Sequence, residues 1–166
     1  MLKFLEWVSS YNAIQRGLVL KMILSHSKTY FDEKKIDTPS ENIATQEKII
    51  ELNIEQKRAS EKILKISSRR DYNTILLDGV PGSGKTEVYF STLKNYLTEK
   101  EQVLIMFPEV SLTSDFVKRI EERFGFTPDV WHSKISASMK TKTLKNIING
   151  TSKIIVGARS ALFLPY

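Results

Sequence analysis

Eight residues in mid-chain, Gly79-Val80-Pro81-Gly82-Ser83-Gly84-Lys85-Thr86, fit the spacing G-x-x-x-x-G-K-[ST] and restrict the fold more than any other feature of the sequence. Glycines at 79, 82 and 84 free the backbone to take left-handed conformations, so that successive N–H groups can converge on a polyphosphate. Lys85 supplies a positive charge for the β and γ phosphates of a nucleotide, and Thr86 a hydroxyl for its Mg²⁺. Such a loop works between a strand and a helix. Thr74 to Asp78 (TILLD) reads as a buried strand, and Glu87 to Leu97 carries Val88, Leu93, Tyr96 and Leu97 at helical spacing. The helix would then begin at the anion, where its first N–H groups have no intrahelical acceptors. The expectation is an ATP site running from Gly79 through Thr86, with Thr86 reaching magnesium through the nucleotide.

Periodicity carries the alternation further. A helix is predicted over 86–98, a strand over 103–107, a helix over 112–123, a short strand at 129–131, a helix over 137–148 closed by Gly150, and a strand over 153–156. Strands alternating with helices predict a parallel sheet covered on both faces. Upstream, Asn53 and Gln56 have capping-box spacing ahead of an apolar stripe through Ala59, Ile63 and Ile66. Residues 1–24 place Phe4, Trp7, Val8 and Tyr11, then Leu18, Val19, Met22 and Ile23, at the spacing of two short helices broken near Gly17. Residues 25–45 are polar, mixed in charge and contain Pro39, the composition of a linker. The chain divides into a helical segment (1–24), a linker (25–45) and a nucleotide-binding lobe (46–166).

Composition narrows the partners. Hydrophobic residues make up 41% and charged residues 27%, enough for an ordinary core. A formal charge of +6, from 25 Lys+Arg against 19 Asp+Glu, suits a polyanion such as nucleic acid. The absence of cysteine excludes disulfides and cysteine-ligated zinc within these residues. His26 and His132 are too few and too far apart to suggest a metal site. The longest apolar run, Val103 to Phe107, is too short to span a membrane. Glu6 interrupts the N-terminal apolar stretch and argues against a secretory signal. The expectation is a cytoplasmic protein with no membrane partner.

Four further segments admit two readings each. Gln56 presents a donor and an acceptor that could read the edge of adenine, yet the same amide is called for by the capping box. In Phe107-Pro108-Glu109-Val110-Ser111-Leu112-Thr113, Pro108 breaks the strand before the acid, which argues against a magnesium carboxylate there. What remains is a helix start capped by Ser111 or Thr113, or a turn whose N–H groups and Thr113 hydroxyl meet nucleic-acid phosphates. Arg159, next to Gly157 and Ala158 at a strand's C-terminal end, is either a solvated arginine or a phosphate ligand in the crevice of an open sheet. Lys134, Lys140, Lys142, Lys145 and Lys153, set opposite Met139, Leu144, Ile147 and Ile148, form either a solvated face or a phosphate-contacting one.

Taken together, LNIEQKRA (52–59), LLDGVPGSGKTEVYF (76–90), VLIMFPEVSLT (103–113), RFGF (123–126), WHSKIS (131–136) and GARSALFLP (157–165) resemble the first half of the N-terminal helicase lobe of the primosomal replication-restart DNA helicases, within superfamily 2. The resemblance covers residues 50–166. FLEWVSSYN (4–12) with LVLKMIL (18–24) looks more weakly like the tail of that family's N-terminal DNA-binding domain. It implies an α/β fold of the RecA-like P-loop NTPase class, an open parallel sheet with helices on both faces. It also implies ATP-dependent 3′ to 5′ unwinding at forks, with branched DNA and primosome proteins as partners. By motif, Gln56 would contact adenine, Gly82, Gly84, Lys85 and Thr86 would hold phosphates and Mg²⁺, and Thr113 and Arg159 would lie along the DNA.

Several family features differ here. Ala158 stands where the family usually has Thr, a tryptophan is common near Leu144, and 25–45 is too short for a winged-helix domain. The family's D-E-x-H acids, arginine finger and zinc-binding cysteines are not among the 166 residues. The expectation is a truncated lobe that binds nucleotide without turning it over, with strand 153–156 or its neighbours exposed as a sheet edge. Two other readings are a non-catalytic module binding nucleotide and DNA, and a small P-loop phosphotransferase, whose loops GVPGSGKT also resembles.

Overall fold

The computed structural model describes residues 2–24, 50–69, 71–97, 101–108 and 113–166. Their order is α1 (Leu2–Tyr11), α2 (Arg16–Leu24), α3 (Ile54–Ser67), α4 (Lys85–Leu97), β1 (Val103–Met106), α5 (Thr113–Phe124), β2 (Asp129–Trp131), α6 (Ala137–Ile148), β3 (Ile154–Gly157) and a 3₁₀ helix, Arg159–Phe163. The three strands form one parallel sheet in the order β1-β3-β2. This is an α/β fold with a small open parallel sheet.

Alternation along the strands explains the layering, because successive side chains point to opposite faces. Ile154 and Val156 of β3 join Phe90, Leu93, Ile120 and Phe124, with Val103 and Ile105 of β1 packed alongside. That face is covered by α4 and α5. Ile155 points the other way, into Trp131, Leu144, Ile147, Ala161 and Leu164, with Leu104 of β1 beside it. That face is covered by α6 and the 3₁₀ helix. All four residues of β3 are buried, as a central parallel strand with helices on both faces requires. Of the expected edges, strand 153–156 is not one, since β3 is paired on both sides; its neighbours β1 and β2 are the outer strands of the described sheet.

The run Thr74 to Asp78 departs from expectation. It takes no place in the sheet, and Ile75 and Leu76 are exposed, Leu76 at 90%. An interior strand exists only where flanking strands complete its ladder, and β1, β2 and β3 pair only with one another. The hydrophobic run states a preference that no described strand satisfies.

Other elements follow their local signals. Asn53 caps α3, accepting the Gln56 N–H at 2.9 Å while Gln56 Oε1 accepts the Asn53 N–H at 3.0 Å, a complete capping box. Ser136 caps α6, and Gly150 follows its C-cap at φ +68°. The break between α1 and α2 falls at Asn12 to Gln15, where Ala13 takes φ +51°, while Gly17 lies within α2. Leu5, Val8 and Val19 bury a small core between these helices, and Phe4 stacks obliquely on Phe163 of the 3₁₀ helix at 5.7 Å. On α6, Leu144 and Ile147 are buried as the stripe predicts, but Met139 and Ile148 are 48% and 46% exposed. Neither belongs to the cluster around Trp131 and Ile155 that buries Leu144 and Ile147. The linker assigned to 25–45 lies outside the described residues.

Gly157 shows why β3 ends as it does. A Cβ there would stand 2.7 Å from Ala161 Cβ and 2.8 Å from the Trp131 carbonyl oxygen, so the 3₁₀ helix folds back against bare backbone. Gly157→Ala is expected to cost about 1–3 kcal/mol by overpacking a site with backbone on one side. Urea denaturation would register it as a lower midpoint at unchanged slope.

Candidate nucleotide-binding site

The glycine-rich loop leads directly into α4 as expected, but among the described residues no strand directly precedes it. Gly82 and Gly84 take φ +81° and +82°, the left-handed region that glycine reaches without a steric penalty. At Gly84 a second constraint applies, since an added Cβ would overlap the Gln56 side-chain nitrogen. Asp78 Oδ1 accepts the Gly79 N–H at 2.8 Å, and Ser83 N–H donates to the Val80 carbonyl at 3.2 Å, closing the turn. Glu87 N–H donates to the Gly84 carbonyl at 2.9 Å, so the helix ladder starts at Gly84 and α4 begins at Lys85. Pro81, Gly82, Ser83, Gly84, Lys85 and Thr86 line a cleft of about 390 Å³ together with Arg119 of α5.

Lys85 folds back over the loop, its ammonium donating to the carbonyls of Gly79 and of Val80, the latter at 3.0 Å. The charge is thereby held at the cleft by neutral acceptors that a phosphate oxygen can replace. Gly79 and Val80 themselves flank the cleft rather than line it. Thr86 is half-buried at the start of α4. Glycine-rich turn, helix start and lysine converge as a polyphosphate requires, so the residues fit a nucleotide with its magnesium.

Gln56 resolves into more than either sequence reading. Its Oε1 serves the capping box, and its Nε2 donates to the Ser83 carbonyl at 3.0 Å. One amide thus fastens the start of α3 to the crown of the loop. Ser60 and Ser91 add a second tie between α3 and α4, Oγ to Oγ at 2.8 Å.

Arg119 was not singled out by sequence, where it is one basic residue on a strongly amphipathic helix. Its Nη2 lies 2.9 Å from Glu87 Oε1, one residue beyond Thr86. Its guanidinium carbon stands 5.7 Å from the Phe90 ring centroid. Its helical neighbours Phe116 (i−3) and Arg123 (i+4) carry no hint of this placement, which comes from α5 packing across α4.

The other candidates lie elsewhere. Thr113 opens α5, and Glu109 to Leu112 of its segment lie outside the described residues. Arg159 is exposed at the first position of the 3₁₀ helix, separated from β3 by Ala158 alone. Register places Met106, Gly157 and Trp131 side by side, so the segments that follow β1, β2 and β3 all leave one end of the sheet. There His132 accepts the Lys134 N–H at Nδ1, 3.2 Å away. Burial, then Lys134 and Lys140, hold its imidazole below the usual histidine range. Among the described residues no cluster of His, Cys, Asp or Glu could hold a metal by itself, and no helix is long and apolar enough to cross a membrane.

A small parallel α/β sheet, together with a glycine-rich loop at the start of a helix packed on it, fits a nucleotide-binding lobe of the P-loop class. The chain belongs to the DEAD/DEAH box helicase family, whose match spans residues 53–165. It is similar to the replication restart protein PriA of Rickettsia felis, with 37% identity over 166 residues, all of this chain and 24% of that protein. It is similar also to replication restart protein PriA of Bacillus subtilis, 32% identical over 92% of this chain and 18% of that protein. With PriA of Haemophilus influenzae the identity is 37% over 75% of this chain and 17% of the relative. The chain therefore spans about a quarter or less of the length of these relatives. Helicase membership decides against the small phosphotransferase.

Proposed function

We propose that this chain is the ATP-binding part of a DNA helicase acting in replication restart. The observation that carries the proposal is the cleft formed by Pro81 to Thr86 at the start of α4, in a chain of the DEAD/DEAH box helicase family. Gly82, Gly84 and Lys85 would hold the phosphates, and Thr86 would hold Mg²⁺, which neutralises charge on the β and γ oxygens when bound. Gln56 would release the Ser83 carbonyl or the cap to meet adenine. Thr113 and Arg159 would contact DNA phosphates at the end of the sheet where β1 and β3 finish, the end at which open α/β sheets bind ligands. The lysines at 134, 140, 142, 145 and 153 and the net charge of +6 support a polyanionic partner. ATP-dependent 3′ to 5′ unwinding and assembly with primosome proteins are proposed for the whole protein of which such a lobe is part.

The test is direct binding by the 166-residue chain, of a fluorescent ATP analogue with Mg²⁺ and of forked DNA across a salt series. Saturable nucleotide binding, and DNA binding that weakens steeply between low and physiological salt, are the expected results. Undetectable affinity for nucleotide at millimolar concentration, or DNA binding indifferent to salt, would overturn the respective half.

A further inference from the structure

Arg119 lines the phosphate cleft and touches two groups that the loop motif does not account for, Glu87 and Phe90. Glu87 follows Thr86 directly, and its side chain is only 19% exposed. One carboxylate oxygen takes the Arg119 guanidinium at 2.9 Å, while the other, Oε2, is buried with no hydrogen-bond partner among the described residues. Arg119 is 47% exposed and lines the cleft beside Gly82 to Thr86. A guanidinium carries five N–H donors in a fixed fork, and the ion pair with Glu87 uses one of them, on Nη2. Phe90 limits the freedom of the remainder, because the cation stands over its ring.

We propose that Arg119 is a second cationic ligand for the phosphates of the bound nucleotide, and that Glu87 is the residue that positions it. The inference rests on the nucleotide reading of the loop and adds a residue from a different helix. Its chemistry is asymmetric. A bare carboxylate one residue past Thr86 would repel a polyphosphate, and Arg119 both neutralises that charge and offers its free donors to the incoming anion. Binding would also draw α5 toward the start of α4 through this one side chain. Lysine at 119 would keep the charge and lose the fork, so it should recover only part of the interaction.

Displacement of a fluorescent ATP analogue from the 166-residue chain by ATP, pyrophosphate and adenosine tests this. Arg119→Gln is expected to weaken ATP and pyrophosphate about tenfold or more, as for loss of a charge-assisted hydrogen bond, and to leave adenosine unchanged. Arg119→Lys should fall between. Glu87→Gln should weaken ATP when Arg119 is present, by losing its positioning, and should strengthen ATP in the Arg119→Gln background, where it removes a carboxylate that would otherwise face the phosphates unpaired. If both substitutions lower the melting temperature but leave the ATP to adenosine ratio as it was, the pair is only a tie between helices and the proposal is wrong. Should Arg119→Gln not fold, an Arg119→Lys protein matching wild type for pyrophosphate overturns it equally. Wild-type protein that binds neither ATP nor pyrophosphate, or a Lys85→Ala protein that binds them as well as wild type does, would instead bring down the nucleotide reading itself.

Discussion

Lys85→Ala is expected to reduce Mg·ATP affinity roughly 10- to 150-fold, the range given by losing about 1.5–3 kcal/mol of hydrogen bonding to a charged group. Its stability should stay within about 0.5 kcal/mol of wild type, as for other solvent-accessible substitutions. The two halves of the expectation have separate causes. In the ligand-free loop the ammonium rests on the carbonyls of Gly79 and Val80, both at exposed residues, so water can replace it there at little cost. A polyphosphate offers no such substitute. Without the lysine its charge would meet only the loop's N–H groups and the guanidinium of Arg119, which is shared with Glu87. Isothermal titration with Mg·ATP and urea denaturation of the same preparation measure both halves. Equal ATP affinity in the variant would mean that the loop's lysine does not face the phosphates.

What could be read from sequence, and what could not, divides by the range of the interactions involved. The capping box at Asn53 and Gln56 closes over three residues, so its spacing is visible in the chain. The loop is equally local, because left-handed φ at Gly82 and Gly84 is a property of those residues. Strands β1, β2 and β3 and helices α4, α5 and α6 fall within a residue or two of their predicted bounds because apolar periodicity reports which face is buried. Thr74 to Asp78 shows the limit. Its apolar run resembles that of β3, and pairing depends on neighbours that a run of residues does not encode. Arg119 shows it again, since its place in the cleft is decided by Phe116 and Phe90 meeting edge to face at 5.3 Å. Gln56 adds a subtler case: two competing roles were legible, but not that its oxygen and nitrogen could be divided between the cap and the loop.

Phe90→Ala is expected to produce the largest loss of stability, about 3–5 kcal/mol, the range for truncating a fully packed aromatic side chain. Against a typical total of about 5–15 kcal/mol this is a large fraction. Phe90 is 2% exposed, and its ring meets Phe116 and Phe124 edge-on at 5.3 and 5.5 Å. These contacts bind α4, whose first turn carries Lys85 and Thr86, to α5, which carries Arg119. The cavity would open among Ile120, Phe124, Ile154 and Val156, between those helices and the sheet. Urea denaturation should show a lower midpoint with the slope preserved. Because a ligand that binds only the folded state stabilises it by about 2.7 kcal/mol at a hundred times its dissociation constant, saturating Mg·ATP should restore much of what Phe90→Ala removes. The same ATP concentration should restore far less in the double variant Lys85→Ala/Phe90→Ala. Equal rescue of both proteins would show that nucleotide stabilises the lobe from somewhere other than the loop at the start of α4.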